Sequence, residues 1–324
     1  MIRTPLCMLV AAAMLISSPA ASAAWPEDRS IEVIVGYAPG GSTDLMARAI
    51  LPYVRKHLGD KTPSPVVINR PGASGEIATA QIERAKPDGY VIGLVNMPGY
   101  LFVPVYRKAQ YSLAGIAPIA RVIVDTTIMV SKKDRGFLDL KQVVTTLKDK
   151  PSSLSVGHNG LGTNGHLALL QLEKQTGVKF NAIPFNGTAQ QKTALSGGHI
   201  DFALISASEV ADPEKEAVPF RILTQFARTR LALPPYSSVS TTFEQGFKVE
   251  MSSVRGFAAP AGLPAEILLR LQQAVEAAMK DPEYLKAART DAPFLSFLSG
   301  GEWAREIEDL RASYEEMAKS LPKE

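Results

Sequence analysis

Short apolar runs rich in β-branched residues alternate with longer amphipathic stretches from Trp25 onward. Runs such as residues 31–35 and 91–95 predict buried strands, because they are short and strongly apolar. Stretches such as residues 44–58 and 265–280 place apolar side chains three and four positions apart, which is the spacing of a helix. This alternation predicts an α/β protein with mostly parallel sheets.

The same criteria extend over the rest of the chain. Further strands are predicted at residues 66–68, 120–130, 154–156, 182–184, 202–205, 220–225 and 254–258. Further helices are predicted at residues 75–84, 138–149, 165–176, 188–196 and 302–320. The last of these places its apolar side chains on one face, which we expect to pack on its own domain rather than on a partner helix.

The most informative stretch is residues 31–44, where the first predicted strand turns into the first predicted helix. Its turn and helix start consist of Pro39, Gly40, Gly41, Ser42, Thr43 and Asp44. The first turn of a helix leaves N–H groups unpaired, and the helix dipole adds partial positive charge, so this point favours an anion. The alternative is an ordinary turn whose N–H groups are capped by Ser42 or Asp44.

A second Gly-rich turn lies between the strand at 154–156 and the next helix. It contains the pattern G-x-G-x-x-G at residues 160–165. In dinucleotide-binding proteins an acidic residue follows this pattern by about 20 positions. Glu173 comes too early for that role and Asp201 too late, so we expect no nucleotide cofactor.

This second turn instead predicts another helix N-terminus with exposed amides, lined by Thr163 and Asn164. The two turns fall in different halves of the chain. Two such points suit a ligand with one or more carboxylates.

Two further loops follow predicted strands. The loop at residues 69–75 offers donors at Ala73 and Ser74, and the loop at 184–188 offers an aromatic wall at Phe185. Asp201 lies at the start of a strand, where it either contacts a ligand or caps a turn. The loop at residues 69–75 is equally compatible with an ordinary strand–helix connection.

The composition is that of a globular protein, with 46% hydrophobic and 21% charged residues over 324 positions. This composition excludes extensive disorder, and the length suffices for two domains. The formal net charge of +3 is too small to predict binding to nucleic acid or to a membrane surface.

The N-terminus predicts a secretory signal peptide. Arg3 precedes an apolar run at residues 6–16, and the small residues that follow end in an A-x-A pattern, which predicts cleavage after Ala23. The run is too short to serve as a membrane anchor. Cys7 is the only cysteine, so we expect the exported chain to have no disulfide and no catalytic thiol.

Enzyme signatures are missing from the sequence. The four histidines are His57, His158, His166 and His199, and no pair has metal-ligand spacing on a helix. The sequence also lacks a G-x-S-x-G nucleophile motif. We therefore expect no metal, no cofactor and no catalytic residue. The alternative that stays open is an exported α/β enzyme acting on a carboxylated substrate.

Taken together, the motifs resemble the extracytoplasmic solute-binding receptors of tripartite tricarboxylate transporters, often called the Bug family. The resemblance covers nearly the whole exported chain, and the order and spacing of its motifs make it specific. The motifs lie at residues 25–26, 34–44, 67–75, 85–90, 160–166, 184–187, 195–201 and 256–264.

The resemblance implies a type II periplasmic-binding-protein fold, in which two α/β lobes, each a mostly parallel sheet flanked by helices, are joined by two crossover strands. It places the crossovers near residues 122–127 and 250–255. The implied division is a signal peptide at 1–23, a first lobe at 24–124 plus 252–324, and a second lobe at 125–251.

The resemblance also implies a ligand site between the lobes, held mainly by backbone amides. Carried over to this sequence, the site consists of Tyr37, Gly40, Gly41, Ser42, Thr43, Asp44, Ala73, Ser74, Gly162, Thr163, Asn164, His166, Phe185 and Asp201. The chain departs from the family pattern at Tyr37, Phe185-Asn186, Thr193 and Ser253. These departures concern the identity of the ligand more than the grip on its carboxylate.

The implied function is that of a monomeric periplasmic receptor, which captures a small carboxylate and delivers it to membrane permease subunits. Dicarboxylates, tricarboxylates, acidic amino acids and aromatic carboxylates all fit an amide-based grip. A ligand-sensing component of a signalling system would use the same fold and site, so that alternative also stays open.

Overall fold

The computed structural model describes residues 25–210, 212–288 and 290–319, and the predicted signal peptide lies outside them. The strands are β1 (Glu32–Val35), β2 (Val66–Asn69), β3 (Val91–Met97), β4 (Ile116–Lys132), β5 (Ser155–His158), β6 (Asn181–Pro184), β7 (Phe202–Ser206), β8 (Phe220–Gln225), β9 (Ser252–Pro260) and β10 (Leu295–Ser299). The α-helices are α1 (Ser42–Leu58), α2 (Glu76–Glu83), α3 (Gly99–Tyr106), α4 (Leu140–Asp149), α5 (Asn164–Thr176), α6 (Thr188–Ser196), α7 (Ala265–Lys280), α8 (Pro282–Ala288) and α9 (Gly300–Lys319).

The strands form a continuous sheet in the order β2-β1-β3-β9-β4-β7-β5-β6, and β8 and β10 also pair with β4. The outer strands are parallel, as predicted: β1 pairs with β2 and β3, and β5 pairs with β6 and β7. The strands next to the centre are antiparallel, since β9 and β4 run back between the two halves. The sheet is therefore mixed rather than mostly parallel.

The long strand β4 connects the two halves of the sheet. Its residues up to Thr126 pair with β9, where Thr126 lies opposite Ser252, whereas from Thr127 onward it pairs with β7. The segment that leads into β9 passes between the two halves beside this point, because the Thr127 amide donates to the Met251 carbonyl at 3.0 Å. Each half of the sheet carries its own helices, which gives the predicted two-lobed α/β fold. The residue boundaries of the lobes stay a prediction.

Each lobe has an apolar core where amphipathic helices cover the sheet. In the first lobe, α1 and α7 bury one stripe each, including Met46 and Ile50 from α1 and Leu271 from α7. In the second lobe, Leu167 and its neighbours on α5 pack with α4 around Phe202. Burying a large aliphatic side chain contributes about 1.5–3 kcal/mol, so these stripes fix which face of each helix meets the sheet.

Helix α9 packs within the chain, as expected, but it contacts both lobes. Trp303 is fully buried beside the first-lobe sheet and belongs to the cluster that contains Ile307. At the other end of the helix, Ala318 lies in the second-lobe cluster, and Gln171 of α5 donates to the Met317 sulfur at 3.9 Å. The apolar stripe predicted from the sequence is thus shared between the lobes.

Three elements were not predicted from the sequence: α3, α8 and β10. Helix α3 is apolar on all sides and carries Pro104, so it lacks the helical periodicity on which the prediction depends. Helix α8 has only seven residues, and β10 pairs only with β4, with an irregular register. Short elements that are held by tertiary contacts have weak local signals.

Gly256 on β9 gives a test of this packing. A methyl group at this position would lie 2.4 Å from the Ala120 carbonyl oxygen and 2.5 Å from the Trp303 ring. We expect Gly256→Ala to lower the free energy of unfolding by about 1–3 kcal/mol through overpacking. Gly301→Ala is the matched control, because nothing lies within 4 Å of its added methyl. Urea denaturation measures both, and equal stability of the two variants would contradict this account.

Candidate functional site

The starts of three helices converge on the cleft between the lobes. Helix α1 follows Gly41, α5 follows Thr163 and α6 follows Gly187, and none of these three N-cap residues caps its own helix with a side chain. Each helix follows a parallel strand, so the carboxyl ends of β1, β5 and β6 direct their helix N-termini toward the same cleft. The first-turn amides of these helices are therefore available to an acceptor in the cleft.

These helix starts line a central cavity of about 20 Å³, which is space for about one water molecule. Its lining consists of Tyr37, Gly41, Ser42, Thr43, Asn96, Met97, Gly99, Asn159, Thr163, Asn164, Gly187, Thr188, Ser206, Glu209 and Ser253. No lysine, arginine or histidine is in this lining. Any grip on an anion here comes from N–H groups, hydroxyls and side-chain amides.

Two larger cavities adjoin the central one. The outer cavity, of about 570 Å³, shares Ser42, Thr188 and Glu209 with it and contains Lys192. The distal cavity, of about 420 Å³, shares Tyr37 and Asn159 with it. The three cavities thus follow one another along the interlobe cleft.

The lobes are in close contact around the central cavity. An added methyl at Gly160 in the second lobe would lie 2.5 Å from the Ser74 hydroxyl in the first, and one at Gly187 would lie 3.7 Å from Ala38. A side chain at Gly160 would require the Ser74 hydroxyl to shift, whereas the 3.7 Å at Gly187 is ordinary van der Waals contact across the cleft. The structure is therefore a closed form of the cleft.

Asp44 decides between the two interpretations of the first turn. Its carboxylate accepts hydrogen bonds from the Gly40 amide at 2.9 Å, from Asn69 at 3.0 Å and from Arg48 at 3.0 Å. Burial opposes ionisation, but these donors, led by Arg48, outweigh it and lower the pKa of Asp44. Asp44 therefore stiffens the turn and does not itself cap the first-turn amides of α1.

His166 and Gly162 stabilise the second turn without lining the cavities. The Gly162 amide donates to His166 Nδ1 at 3.1 Å, and the His166 ring stacks on His158 with centroids 4.8 Å apart. Burial, together with His158, lowers the pKa of His166 to about 3. The ring is thus a neutral acceptor that holds the loop, and neither His166 nor Gly162 lines any of the three cavities.

The remaining predicted residues divide into two groups. Ala73, Ser74 and Phe185 line the distal cavity, and Gly40 lines the outer one. Asp201 lies outside all three linings, because its carboxylate accepts from the Ser155 amide and hydroxyl, both at 2.8 Å, and pairs with Arg135. The cavities therefore bring together the predicted residues at the helix starts and separate them from Asp201.

Several lining residues were not singled out from the sequence: Asn96, Asn159, Thr188, Ser206 and Glu209. Asn96 is near the end of β3, and its Nδ2 donates to the Thr43 hydroxyl at 2.8 Å, while its buried Oδ1 has no partner among the described residues. A polar side chain near the carboxyl end of a strand was the available signal. For Glu209 the signal was the S-x-x-E capping-box pattern that begins at Ser206.

A buried charged cluster supports the cleft at the crossover strands. Arg255 on β9 donates to Asp125 on β4 at 2.6 Å, and both side chains are fully buried. The Ser208 amide and hydroxyl also donate to Asp125, at 3.2 and 2.6 Å. Burial pushes the pKa of Asp125 upward, but the two donors of Ser208 and the adjacent Arg255 guanidinium favour the ionised pair. Burial likewise opposes the charge of Arg255, while Asp125 and Asp291 outweigh it and raise its pKa.

The described residues offer no other obvious chemistry. Within them, no three His, Cys, Asp or Glu side chains come together as metal ligands would. None of the helices in residues 25–210, 212–288 and 290–319 has the length and apolar character needed to cross a membrane.

A two-lobed α/β fold that closes on a small cavity lined by helix starts defines a solute-binding receptor. The profile of the family described as "Tripartite tricarboxylate transporter family receptor" matches residues 46–294. The match covers more than half of the chain, so the protein belongs to this family, which confirms the resemblance found in the sequence.

Named relatives support the same assignment. A UPF0065 protein of Bordetella pertussis is 30% identical over 277 residues, covering 85% of this chain and 84% of that protein. The protein BugT of the same species is 26% identical over 286 residues, covering 84% of this chain and 82% of that protein.

Solved structures share the fold over almost the whole chain. An R. palustris protein solved with adipate has a TM-score of 0.82 and 27% identity, covering 91% of this chain and 97% of that chain. The periplasmic binding protein BugD has a TM-score of 0.81 and 25% identity, covering 90% and 97%. The family and structural neighbours such as BugD are solute-binding receptors and not enzymes, and members of the family are periplasmic binding proteins.

Asp291 lines the outer cavity and gives the charged cluster a measurable pH dependence. Burial raises the pKa of Asp291 to about 6, against the opposing effect of Arg255. In the unfolded chain the carboxyl titrates near 3.9. Between these two pKa values the folded state keeps the Asp291 proton that the unfolded chain has lost. The group therefore favours folding at pH 4 and disfavours it above pH 6.

We expect Asp291→Asn to match the wild type in stability near pH 4 and to exceed it by up to about 3 kcal/mol above pH 7, since asparagine stays neutral. Urea denaturation from pH 4 to pH 8 measures the difference. Asp309→Asn on the exposed face of α9 is the control for loss of a carboxylate. A difference that is constant with pH would contradict the assignment.

Proposed function

We propose that this protein captures a small carboxylate in the central cavity and delivers it to the permease subunits of a tripartite tricarboxylate transporter. The observation that carries the proposal is the convergence of three helix starts, none of them capped by the side chain of its own N-cap residue, on a cavity without basic side chains. Such a cavity recognises a carboxylate by oriented N–H groups and helix dipoles. Membership of the receptor family supports the same conclusion.

The proposed grip comes from both lobes. The amides at Ser42 and Thr43 belong to the first lobe, and those at Asn164 and Thr188 belong to the second. Tyr37, Gly41 and Thr163 complete the wall. Closing the lobes excludes water, and in the lower local dielectric a charge-assisted N–H···O⁻ bond becomes stronger. A ligand that contacts both lobes binds the closed form better than the open form, and closure then signals occupancy to the permease.

We propose a dicarboxylate as the ligand. One carboxylate would bind in the central cavity, and the rest of the molecule would extend into the distal cavity, which is walled by Phe185 and bordered by Arg107 and Gln190. The adipate in the R. palustris relative is a linear dicarboxylate of this kind. Arg107 is paired with Glu76 at 2.6 Å, so it offers a partly neutralised charge at the far end.

We further propose that the protein acts in the periplasm as a monomer. This proposal includes cleavage of the predicted signal peptide after Ala23, and lobes formed by residues 24–124 with 252–324 and by residues 125–251. The change of pairing partners along β4 between Thr126 and Thr127 supports the lobe division.

A thermal-shift screen tests the proposed function. The mature protein is unfolded and refolded to remove bound ligand and is then heated with a panel of dicarboxylates, tricarboxylates, acidic amino acids and aromatic carboxylates, adipate included. A ligand at 100 times its dissociation constant adds about 2.7 kcal/mol of stability, which raises the unfolding midpoint by roughly 5 °C. The absence of a shift with every carboxylate would contradict the proposal.

A backbone substitution tests whether amides provide the grip. Asn164 is the first residue of α5, and Thr163 before it has φ −70° and ψ 163°, a conformation that proline tolerates at the following position. Asn164→Pro removes one N–H from the cavity, whereas Asn164→Ala removes the same side chain and retains the N–H.

We expect Asn164→Pro to bind the selected carboxylate at least tenfold more weakly than Asn164→Ala, since a hydrogen bond to a charged group contributes about 1.5–3 kcal/mol. Isothermal titration calorimetry measures both affinities, and circular dichroism checks that both variants are folded. Equal affinities would show that the Asn164 amide does not hold the carboxylate.

A further inference from the structure

The carboxylate of Glu209 already lies against the N-terminus of α1. Its Oε1 accepts a hydrogen bond from the Ser42 amide at 3.2 Å, and its Oε2 accepts one from the Ser206 amide at 2.9 Å. Ser42 belongs to the first lobe, while Ser206 and Glu209 belong to the second. Thus a carboxylate of the protein itself uses a helix-start amide at the central cavity and joins the two lobes.

Hydrogen bonds hold the backbone around Glu209 in place. Ser206 and Glu209 form a capping box at the short turn Ala207–Glu209. The neighbouring Ser208 is held by the buried Asp125 through its amide and hydroxyl. Lys192 also donates to the Glu209 carbonyl at 3.0 Å. The backbone of Glu209 is therefore anchored beside the crossover strand, and its side chain alone reaches the other lobe.

We propose that Glu209 is an internal competitor for the carboxylate site, a latch that closes the cleft by itself and must be displaced from Ser42 when a ligand carboxylate binds. This inference rests on the proposed function for the identity of the competing ligand. The closing action of Glu209 does not depend on any ligand. The central cavity, at about 20 Å³, is too small for a carboxylate and Glu209 together.

The displaced side chain has an alternative environment. Glu209 lines the outer cavity as well as the central one, and the outer cavity contains Lys192 and Lys215. Rotation of the Glu209 side chain toward these lysines would vacate the central cavity. Lys192 already pairs with Glu216 at 2.7 Å and Lys215 with Asp212 at 2.8 Å, so the displaced carboxylate would share these cations with them. The latch thus has two positions, and the ligand selects the second because it takes over the Ser42 amide.

Distance measurements on the ligand-stripped protein test the latch. The only cysteine, Cys7, lies in the predicted signal peptide, so spin labels attach only where cysteines are introduced. Lys61→Cys and Lys174→Cys place exposed labels beyond the C-terminus of α1 and near that of α5, away from the cleft. Double electron–electron resonance then reports the distance between the lobes.

We expect a short interlobe distance when Glu209 is present and a shift of the population to longer distances in Glu209→Gln. Glutamine retains the capping box, which accepts either residue, but it replaces a charge-assisted bond to Ser42 by a weaker neutral one. Glu216→Gln is the matched control, because Glu216 lines the outer cavity and pairs with Lys192 without contacting α1. An open wild type, or the same distances in all three proteins, would overturn the proposal.

Chemical rescue separates the latch from a local structural role. Glu209→Ala removes the side-chain carboxylate and leaves a space the size of an acetate ion at the α1 N-terminus. We expect sodium acetate to restore the short distance in this variant, whereas sodium chloride at the same ionic strength does not. A structural turn residue would show no such rescue, and its absence in a folded Glu209→Ala protein would contradict a carboxylate latch.

Ligand affinity gives the second readout. We expect Glu209→Gln to bind adipate more tightly than the wild type, on the order of tenfold, because the competitor is weakened. An unchanged or weaker affinity would overturn the competition. If adipate binds none of the proteins while the distances still shift in Glu209→Gln, the latch is supported and the proposed dicarboxylate ligand fails, so the two failures are distinguishable.

Discussion

The N–H groups at the starts of α1, α5 and α6 need an acceptor, and the fold directs all of them to one place. A helix start without a cap costs stability wherever it is kept from water, so three of them at a closing cleft are a strong constraint. The carboxylate of Glu209 satisfies one of these groups in the closed form. A ligand carboxylate with two oxygens could satisfy several together, and this difference is the physical basis of capture.

The crossover between the lobes keeps this geometry in register. Asp125 and Arg255 lie on the two strands that pass between the lobes, where their buried ion pair joins β4 to β9. Removing one partner of such a pair leaves an uncompensated buried charge, at a cost of about 3–5 kcal/mol. Asp125 also holds Ser208, so the turn that carries Glu209 is fixed to the strand about which the lobes close.

Much of this architecture was predictable from local patterns. The strand and helix of residues 31–58 were recognised because apolar periodicity and the Pro-Gly-Gly turn agree there. The alternative of a cap at Ser42 or Asp44 does not hold, since Gly41 precedes the helix and Asp44 bonds to Gly40 instead. The antiparallel pairing near the centre of the sheet was not predictable from periodicity, because strand direction depends on contacts distant in sequence.

The candidate site was predictable at its helix starts and less so elsewhere. Thr163 and Asn164 begin a helix after a Gly-rich turn, and this local signal placed them at the cavity. For Asp201 the sequence left both a ligand contact and a turn cap open, and it could not decide between them because the partners Ser155 and Arg135 are far away in sequence. The capping-box pattern marks Glu209 as a turn residue, but its contact with Ser42 joins positions 167 residues apart, and local sequence patterns do not predict such a contact.

The most direct test of the central claim is a crystal structure of the protein after its bound ligand has been removed and a carboxylate has been added. The account predicts carboxylate oxygens about 2.7–3.2 Å from the backbone nitrogens of Ser42 and of Asn164 or Thr188, with Glu209 turned into the outer cavity. A carboxylate held by lysine or arginine side chains in another cavity, with Glu209 still bonded to Ser42, would contradict it.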